Sequence, residues 1–429
     1  VIKLLVRGPA LSRSGYGEQT RFAMKALREE EHKYDIYLEN VGWGQTGVVA
    51  EDTDEKRWLE SLVAKTAAYK QSGGKYDISL QVTIPNEWEK LAPINVGYTA
   101  GIEVDRISHV WIEKAKIMDR IIVISNHAKD TFNSTKYDML DNDRNPIGTL
   151  ENKTRIDVVN YPVRTCSPGA PLELDLEHDT NFLAVAQWCP RKNFENTVRW
   201  FLDEFRNDEV GLVLKTNIMN NCNIDKEHTR DRLRALLDSY KDRKCSVHLI
   251  HGDMSEQEMA SLYTHPKISA LITLTHGEGF GLPIFEAVCN ELPVIAPDWS
   301  GQVDFLYGEV KERKKVRKKV VTKNKKKALF LPVSYKLAPV APESVWDGVI
   351  EAGSHWCYAD KTSYMGCLRK FTKNKKLYQS WAKKLKEYVF EHFSEEKLNT
   401  MMRESILLDH PGLANYNENV ADTRIRVFN

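Results

Sequence analysis

The chain has 429 residues, with 61 Lys and Arg against 60 Asp and Glu, and a formal net charge of +1. With 42% apolar and 28% charged residues it has the balance of a soluble globular protein of two or three domains, two of ordinary α/β size fitting best. The near-zero total excludes a global field that would draw nucleic acid, so any polyanion site must be local.

Residues 1 to 6 read as a buried strand, too short and too soon interrupted by charge for a signal peptide. Arg7-Gly-Pro-Ala-Leu-Ser-Arg-Ser-Gly-Tyr-Gly follows, and a helical pattern runs from Glu18 to Leu27. A glycine-rich loop between a first strand and a first helix is an anion or sugar site at Gly15, Tyr16 and Gly17, or a tight turn only. It is not Gly-x-Gly-x-x-Gly, which argues against a dinucleotide. Further strands are expected at 34–38, 76–82, 95–99, 120–125 and 156–160, with helices at 55–70 and 110–118. Alternating strand and helix predicts a parallel, doubly wound sheet, with ligands at the carboxyl ends of its strands. Gly97-Tyr-Thr-Ala-Gly-Ile-Glu-Val-Asp-Arg106 and Ser125-Asn-His-Ala-Lys129 fall at that edge. Asp105 or Arg106 also fits a cap on the helix that follows. His127 reads as structural. Asp52-Thr-Asp54 and Asp141-Asn-Asp143 have the oxygen-rich form of a divalent-metal motif, but neither ends a strand, and both are assigned to solvated loops. No metal is expected.

Residues 161 to 181 are rich in Pro, Ser and acidic residues, with little apolar periodicity. The expected division is therefore an N-terminal Rossmann-like domain over 1–165, a linker over 166–180 and a second Rossmann-like domain over 181–380. The second series opens with a strand at 182–186 and a helix whose Phe194, Val198, Phe201, Leu202 and Phe205 share one core-facing stripe. Arg191 and Lys192 stand just ahead of that helix, with Asn193 as its expected cap, and two cations there suit a pyrophosphate. The remaining reading is a surface pair at a helix start. More strands are expected at 213–216, 247–250, 271–274 and 294–296. The seven cysteines (Cys166, Cys189, Cys222, Cys245, Cys289, Cys357 and Cys367) form no Cys-x-x-Cys pair. A reducing, cytoplasmic location is expected, and the sequons at Asn133 and Asn152 then mean nothing. No apolar run approaches the ~20 residues that span a bilayer.

Residues 268 to 305 organise the rest: strand, glycine-rich loop with Gly277, Gly279 and Gly281, helix with Pro283 in its first turn, strand, and a loop opened by Ser300-Gly301. Glu278 lies on the loop and Glu286 in the helix's first two turns. The positive end of a helix with free N–H groups is a place for an anion. Residues 311–327 form a basic block whose valines permit a hairpin into Ala328-Leu-Phe-Leu331. The block contacts a polyanion or is a solubilising insertion, and its lack of aromatics argues against a single-strand stacking platform.

Glu278, seven residues and Glu286 around Gly279-Phe280-Gly281-Leu282-Pro283 resemble the donor-binding motif of retaining glycosyltransferases of the GT-B fold, particularly family 4, the glycosyl transferases group 1. The resemblance is strongest over 181–306 and extends over 1–160. It implies two Rossmann-like domains facing across a cleft, with helices after 381 crossing back to the first domain. The implied activity is metal-independent sugar transfer, with retained configuration, from a nucleotide diphosphate sugar, foremost a UDP-sugar, to an acceptor hydroxyl. No cofactor is implied beyond that co-substrate. The resemblance implies that Lys192 and Arg191 hold the diphosphate, Glu286 the ribose, and Glu278 with the N–H groups of Gly279, Phe280, Gly281 and Leu282 the sugar. Gly15-Tyr16-Gly17, Lys215, the turn carrying Met254, and Ser300-Gly301 become further donor contacts. Glu103 and Asp105, in a stretch similar to the family's Gly-Tyr-Thr-x-x-x-Glu-x-Asp-Arg, become acceptor-side residues. Trp356-Cys-Tyr-Ala-Asp360 resembles the family's Trp-x-x-Pro-Asp segment. Gln187 stands where the family has an arginine, which leaves open a catalytically silent sugar-nucleotide binder. The acceptor is a glycan, a lipid or, given the basic block, DNA carrying modified bases.

Overall fold

In the computed structural model, residues 1–44, 46–164, 166–316 and 319–407 are described, with backbone only for 311–316 and 319–323. Residue 165, residues 317–318 of the basic block and residues 408–429 of the expected returning helices lie outside them.

The first half runs β1 (Ile2–Gly8), α1 (Gly15–Arg28), β2 (Tyr34–Asn40), α2 (Asp54–Gln71), β3 (Ile78–Val82), β4 (Ile94–Thr99), α3 (His109–Ala115), β5 (Arg120–Val123), α4 (Asn126–Ser134), β6 (Lys136–Leu140), β7 (Pro146–Glu151) and β8 (Ile156–Val158). Six of these strands form one parallel sheet in the order β2-β1-β3-β4-β5-β8. Leu4, Val6, Leu80 and Ile122 at its centre have no exposure, as expected of strands covered on both faces. The exposed hairpin β6–β7 was not expected from the sequence. Asp141 shapes its turn by accepting the N–H groups of Asp143 and Asn145.

The second half runs β9 (Asn181–Val185), α5 (Phe194–Phe205), β10 (Gly211–Lys215), α6 (Asn223–Leu237), β11 (Ser246–Ile250), α7 (Glu256–Tyr263), β12 (Ile268–Ile272), α8 (Leu282–Cys289), β13 (Val294–Pro297), α9 (Val303–Leu306), β14 (Tyr307–Val316), β15 (Lys319–Ala328), β16 (Leu331–Val333), β17 (Tyr335–Pro339), β18 (His355–Ala359), α10 (Lys361–Lys373), α11 (Lys375–His392) and α12 (Glu395–Leu407). Its parallel sheet has the order β11-β10-β9-β12-β13-β16. The expected stripe on α5 is buried beside that sheet. The basic block forms the antiparallel hairpin β14–β15.

Among the described residues, three segments pack across both halves. Among its described residues the chain between β8 and β9 has no helix or strand, and its Tyr161 is buried against Phe22 and Phe280. A strap around β17 and β18 inserts Val340, Val349 and Trp356 into the apolar cluster of Trp88, Ile107 and Trp111 in the first half. The last helix among the described residues, α12, packs on α1 and β5. There Arg403 donates to the Ala26 carbonyl (2.9 Å) and Arg120 to that of Ser405 (2.8 Å). Residue 381, the expected start of the returning segment, lies inside continuous α11, which packs on α8 and β14; the chain turns at Phe393-Ser394. Among the described residues no helix is long and apolar enough to cross a membrane.

Candidate active site

In the second sheet β9 and β12 are neighbours although more than 80 residues separate them. Strand order reverses between them, and loops leaving such a pair diverge into a crevice. One loop carries Arg191 and Lys192, the other Glu278. Asn193 pins them together by donating to the Leu274 carbonyl (3.2 Å). It does so from a left-handed backbone (φ 48°) and makes no side-chain cap on α5, contrary to expectation. The side chain was drawn away because the neighbouring loop offers a buried carbonyl.

Lys192 Nζ donates to Glu278 Oε1 at 2.5 Å, and Arg191 Nη1 lies 3.3 Å from Oε2. Burial alone would raise the Glu278 carboxyl, but Lys192 and Arg191 outweigh it and lower it to about 2. Burial likewise works against the Arg191 charge, yet Glu103 and Glu278 hold it well above the usual arginine range. Arg191 also donates to the Gly277 carbonyl (2.7 Å) and reaches Glu103 of the first domain at 3.5 Å. The trio of Lys192, Arg191 and Glu278 thus carries one net positive charge, and Arg191 ties it to Glu103 of the first domain.

The peptide of Glu278 is clamped on both sides. Its N–H donates to Ser300 Oγ (2.9 Å), and its carbonyl accepts the Gly301 N–H (2.9 Å). A Cβ on Gly301 would fall 2.0 Å from the Gly279 carbonyl oxygen, so only glycine permits this approach. Ser300 and Gly301, expected as donor contacts, therefore act behind the loop: Ser300 is buried and its hydroxyl is used by Glu278 and Gln302. The Phe280 ring packs into the core against Tyr161, Phe285 and Phe305, which leaves its backbone for a ligand. The N–H groups of Gly279, Phe280, Gly281 and Leu282 donate to no described protein acceptor. They sit at the start of α8, where such groups face an anion most favourably. His276 backs the loop, stacked on Trp356 and accepted by the Cys357 carbonyl at 2.7 Å.

Glu286 projects from α8 toward Tyr263 and Arg164. Tyr263 donates to it (3.1 Å), and Arg164 lies 3.7 Å away while bound at 2.6 Å to Glu18 of α1. Burial raises the Glu286 carboxyl, and Arg164 and Tyr263 only partly offset this. Arg164 and Tyr263 were missed in the sequence, since neither belongs to a local pattern. Lys215 donates to the Gly252 carbonyl (2.6 Å) and so fixes the turn carrying Met254; burial lowers its ammonium. Gln187 donates to the Ile218 carbonyl at 2.8 Å. A cavity of about 730 Å³ opens here between the domains, lined by Arg13, Gly47, Gln187, Asn217, Asn221 and Asp253.

On the facing domain, Ser14 caps α1 by accepting the Gly17 N–H (3.0 Å). Gly15, Tyr16 and Gly17 are therefore its first turn, not a loop before a helix at 18. Gly15 faces open space, whereas a Cβ on Gly17 would meet the Ser12 carbonyl at 2.0 Å. Tyr16 lies under Trp43 and its hydroxyl pairs with Thr99 at 2.8 Å. Glu103 faces the cleft through Arg191. Asp105 does not face an open acceptor site: its oxygens accept the His355 N–H (2.7 Å) and contact His355 Nδ1 (2.9 Å). The strap thus holds the Asp105 carboxylate through His355. His127 is half-buried edge-on to Trp299, and desolvation lowers its imidazole. Asp52 and Asp54 both pair with Arg57 at the start of α2. Among the described residues no three of His, Cys, Asp and Glu gather as a metal site.

No family model and no curated protein matches the chain. Solved structures do. Sucrose-phosphate synthase from Thermosynechococcus elongatus superposes with a TM-score of 0.58 at 14% identity, covering 98% of this chain and 100% of that one. A glycosyltransferase from Rickettsia africae gives 0.55 at 14%, covering 98% of each chain. HepE from Anabaena, solved with UDP-glucose, gives 0.54 at 11%, covering 94% and 99%. Two six-stranded parallel sheets whose carboxyl ends face each other, matched along nearly the whole chain, give it the GT-B fold of those glycosyltransferases.

Proposed function

We propose that the chain is a glycosyltransferase that moves a sugar from a nucleotide diphosphate sugar to an acceptor hydroxyl, keeping the anomeric configuration and using no metal. The reading rests on one arrangement: Glu278 held between Lys192 and Arg191 at the start of α8, beside four uncommitted N–H groups. The bond from the anomeric carbon to the diphosphate oxygen breaks, the acceptor oxygen bonds to that carbon, and the acceptor proton is released. Negative charge grows on the departing diphosphate and positive charge on the sugar. Fixed donors and cations placed before the reaction stabilise the first without reorganising. Lys192, Arg191 and the Gly279–Leu282 N–H groups take that role, Glu278 binds the sugar and Glu286 the ribose hydroxyls. A UDP-sugar is the proposed donor; HepE, of the same fold, was solved with UDP-glucose.

The test is binding and slow hydrolysis across UDP-, GDP- and ADP-sugars, with a chelator and no acceptor, for the protein and for Glu286→Ala and Lys192→Ala. Tight binding of one donor with nucleotide release, lost in both folded variants, is the expected result. Binding without release would establish a silent binder. Full activity in either variant overturns the site.

A further inference from the structure

The strands β14 and β15 pair over ten residues each, a ribbon ~33 Å long at the usual rise. Residues 311–327 contain eleven Lys and Arg and one Glu, so in a chain of total +1 the remaining residues carry a net −9. Opposed like charges destabilise a two-stranded ribbon, yet among the described residues the register sets no two basic positions opposite each other. Lys311 faces Asn324, Arg313 faces Thr322, Lys314 faces Val321, Lys315 faces Val320 and Lys319 faces Val316. Lys323 and Lys326 face Glu312 and Glu309, while Lys325 and Lys327 face Val310 and Gly308. By backbone register, therefore, no two basic positions of the described residues stand opposite each other.

Register also distributes the charge. Positions 311, 313, 315 and 326 fall on one side of the pleat, and 314, 319, 323, 325 and 327 on the other. A ribbon basic on both sides suits a ligand with two anionic walls rather than a flat anionic surface. The major groove of duplex DNA, about 12 Å wide and flanked by phosphates, admits a two-stranded ribbon. The absence of aromatics in the block removes the stacking platform that single strands use. The root lies beside the candidate site: Tyr307 donates to Asp298 (2.7 Å), two residues before Ser300, which holds Glu278. We propose that β14–β15 is a docking arm for duplex DNA, bound through its phosphates independently of sequence.

Binding is independent of sugar transfer, so it is measured without donor. The probe is a labelled 20-base-pair duplex, titrated by fluorescence anisotropy at 50 to 200 mM salt. Neutralising four to five phosphates predicts a fall in affinity of about 10²–10³-fold over that range. The combined variant Lys311→Gln, Lys314→Gln, Lys323→Gln and Lys325→Gln is expected to weaken binding at least tenfold and to lower the salt slope. Lys373, Lys376, Lys383 and Lys384, exposed on α10 and α11, changed together to Gln, provide the charge-matched control. Salt-insensitive binding, equal loss in the control, or tighter binding to phosphatidylserine vesicles than to the duplex each overturns the proposal. An unchanged circular-dichroism spectrum and melting temperature of the hairpin variant confirm that the protein remains folded.

Discussion

The Lys192–Glu278 pair gives the sharpest quantitative expectation. Both side chains are almost buried, 14% and 10% exposed, so removing one partner strands the other's charge, at a cost of about 3–5 kcal/mol. A second estimate comes from protonation. Glu278 sits at about 2 against an ordinary 4.5, and at about 1.4 kcal/mol per unit its charged form stabilises the fold by about 3 kcal/mol. Because the folded-state value is depressed, that stabilisation is complete above about pH 4.5 and is lost as pH falls toward 2. Lys192→Met should destabilise the protein by about 3 kcal/mol at pH 7, and less at pH 3. Glu278→Gln should also destabilise, since Lys192 and Arg191 lose their acceptor. The double variant should be less affected than the sum, with a coupling energy of about 2 kcal/mol or more. The assay is urea unfolding of the four proteins at both pH values. Additive single effects, or a Lys192→Met penalty independent of pH, would refute the reasoning.

Other expectations follow from the same geometry. Arg164→Met should raise the donor KM by about ten- to a hundredfold, the worth of one charge-assisted interaction, with a smaller change in kcat. Because burial already raises Glu286 and Arg164 opposes this, the defect should be worse at pH 6 than at pH 8, and Arg164→Lys should recover part of it. Gly17→Ala should destabilise α1 and be visible in the melting temperature, whereas Gly15→Ala, open on the same turn, should leave stability within about 0.5 kcal/mol. Gly301→Ala should displace the Glu278 peptide and reduce donor hydrolysis by about 10²-fold, since small misplacements at a reacting centre are costly. His355→Ala removes the ring contact to Asp105. It should loosen the strap, read as faster proteolysis between residues 340 and 355, while donor affinity stays unchanged.

Most strands and the two-sheet architecture were legible because apolar runs alternate with helical spacing, and buried parallel strands have few other ways to appear. The Glu278–Glu286 segment was legible for a similar reason: glycines, a proline and two carboxylates at fixed separations describe a local turn and helix. The start of α1 was misplaced because a side-chain cap at Ser14 extends the helix beyond its apolar pattern. The hairpin β6–β7 escaped because its exposed strands carry little periodicity.

What the sequence determined by itself was local: which segments pair or coil, and which of them present cations, carboxylates or free N–H groups. Only the tertiary structure decided which groups meet. Lys192 reaches Glu278 because β9 lies beside β12, and Arg164 reaches Glu286 because the segment after β8 crosses α1 on its way to the second domain. Asp105 was taken from the cleft by His355, 250 residues away. Such pairings depend on strand order and on how the halves are strapped together, and no spacing along the chain encodes them, because the energy of a buried ion pair is set by distance in space.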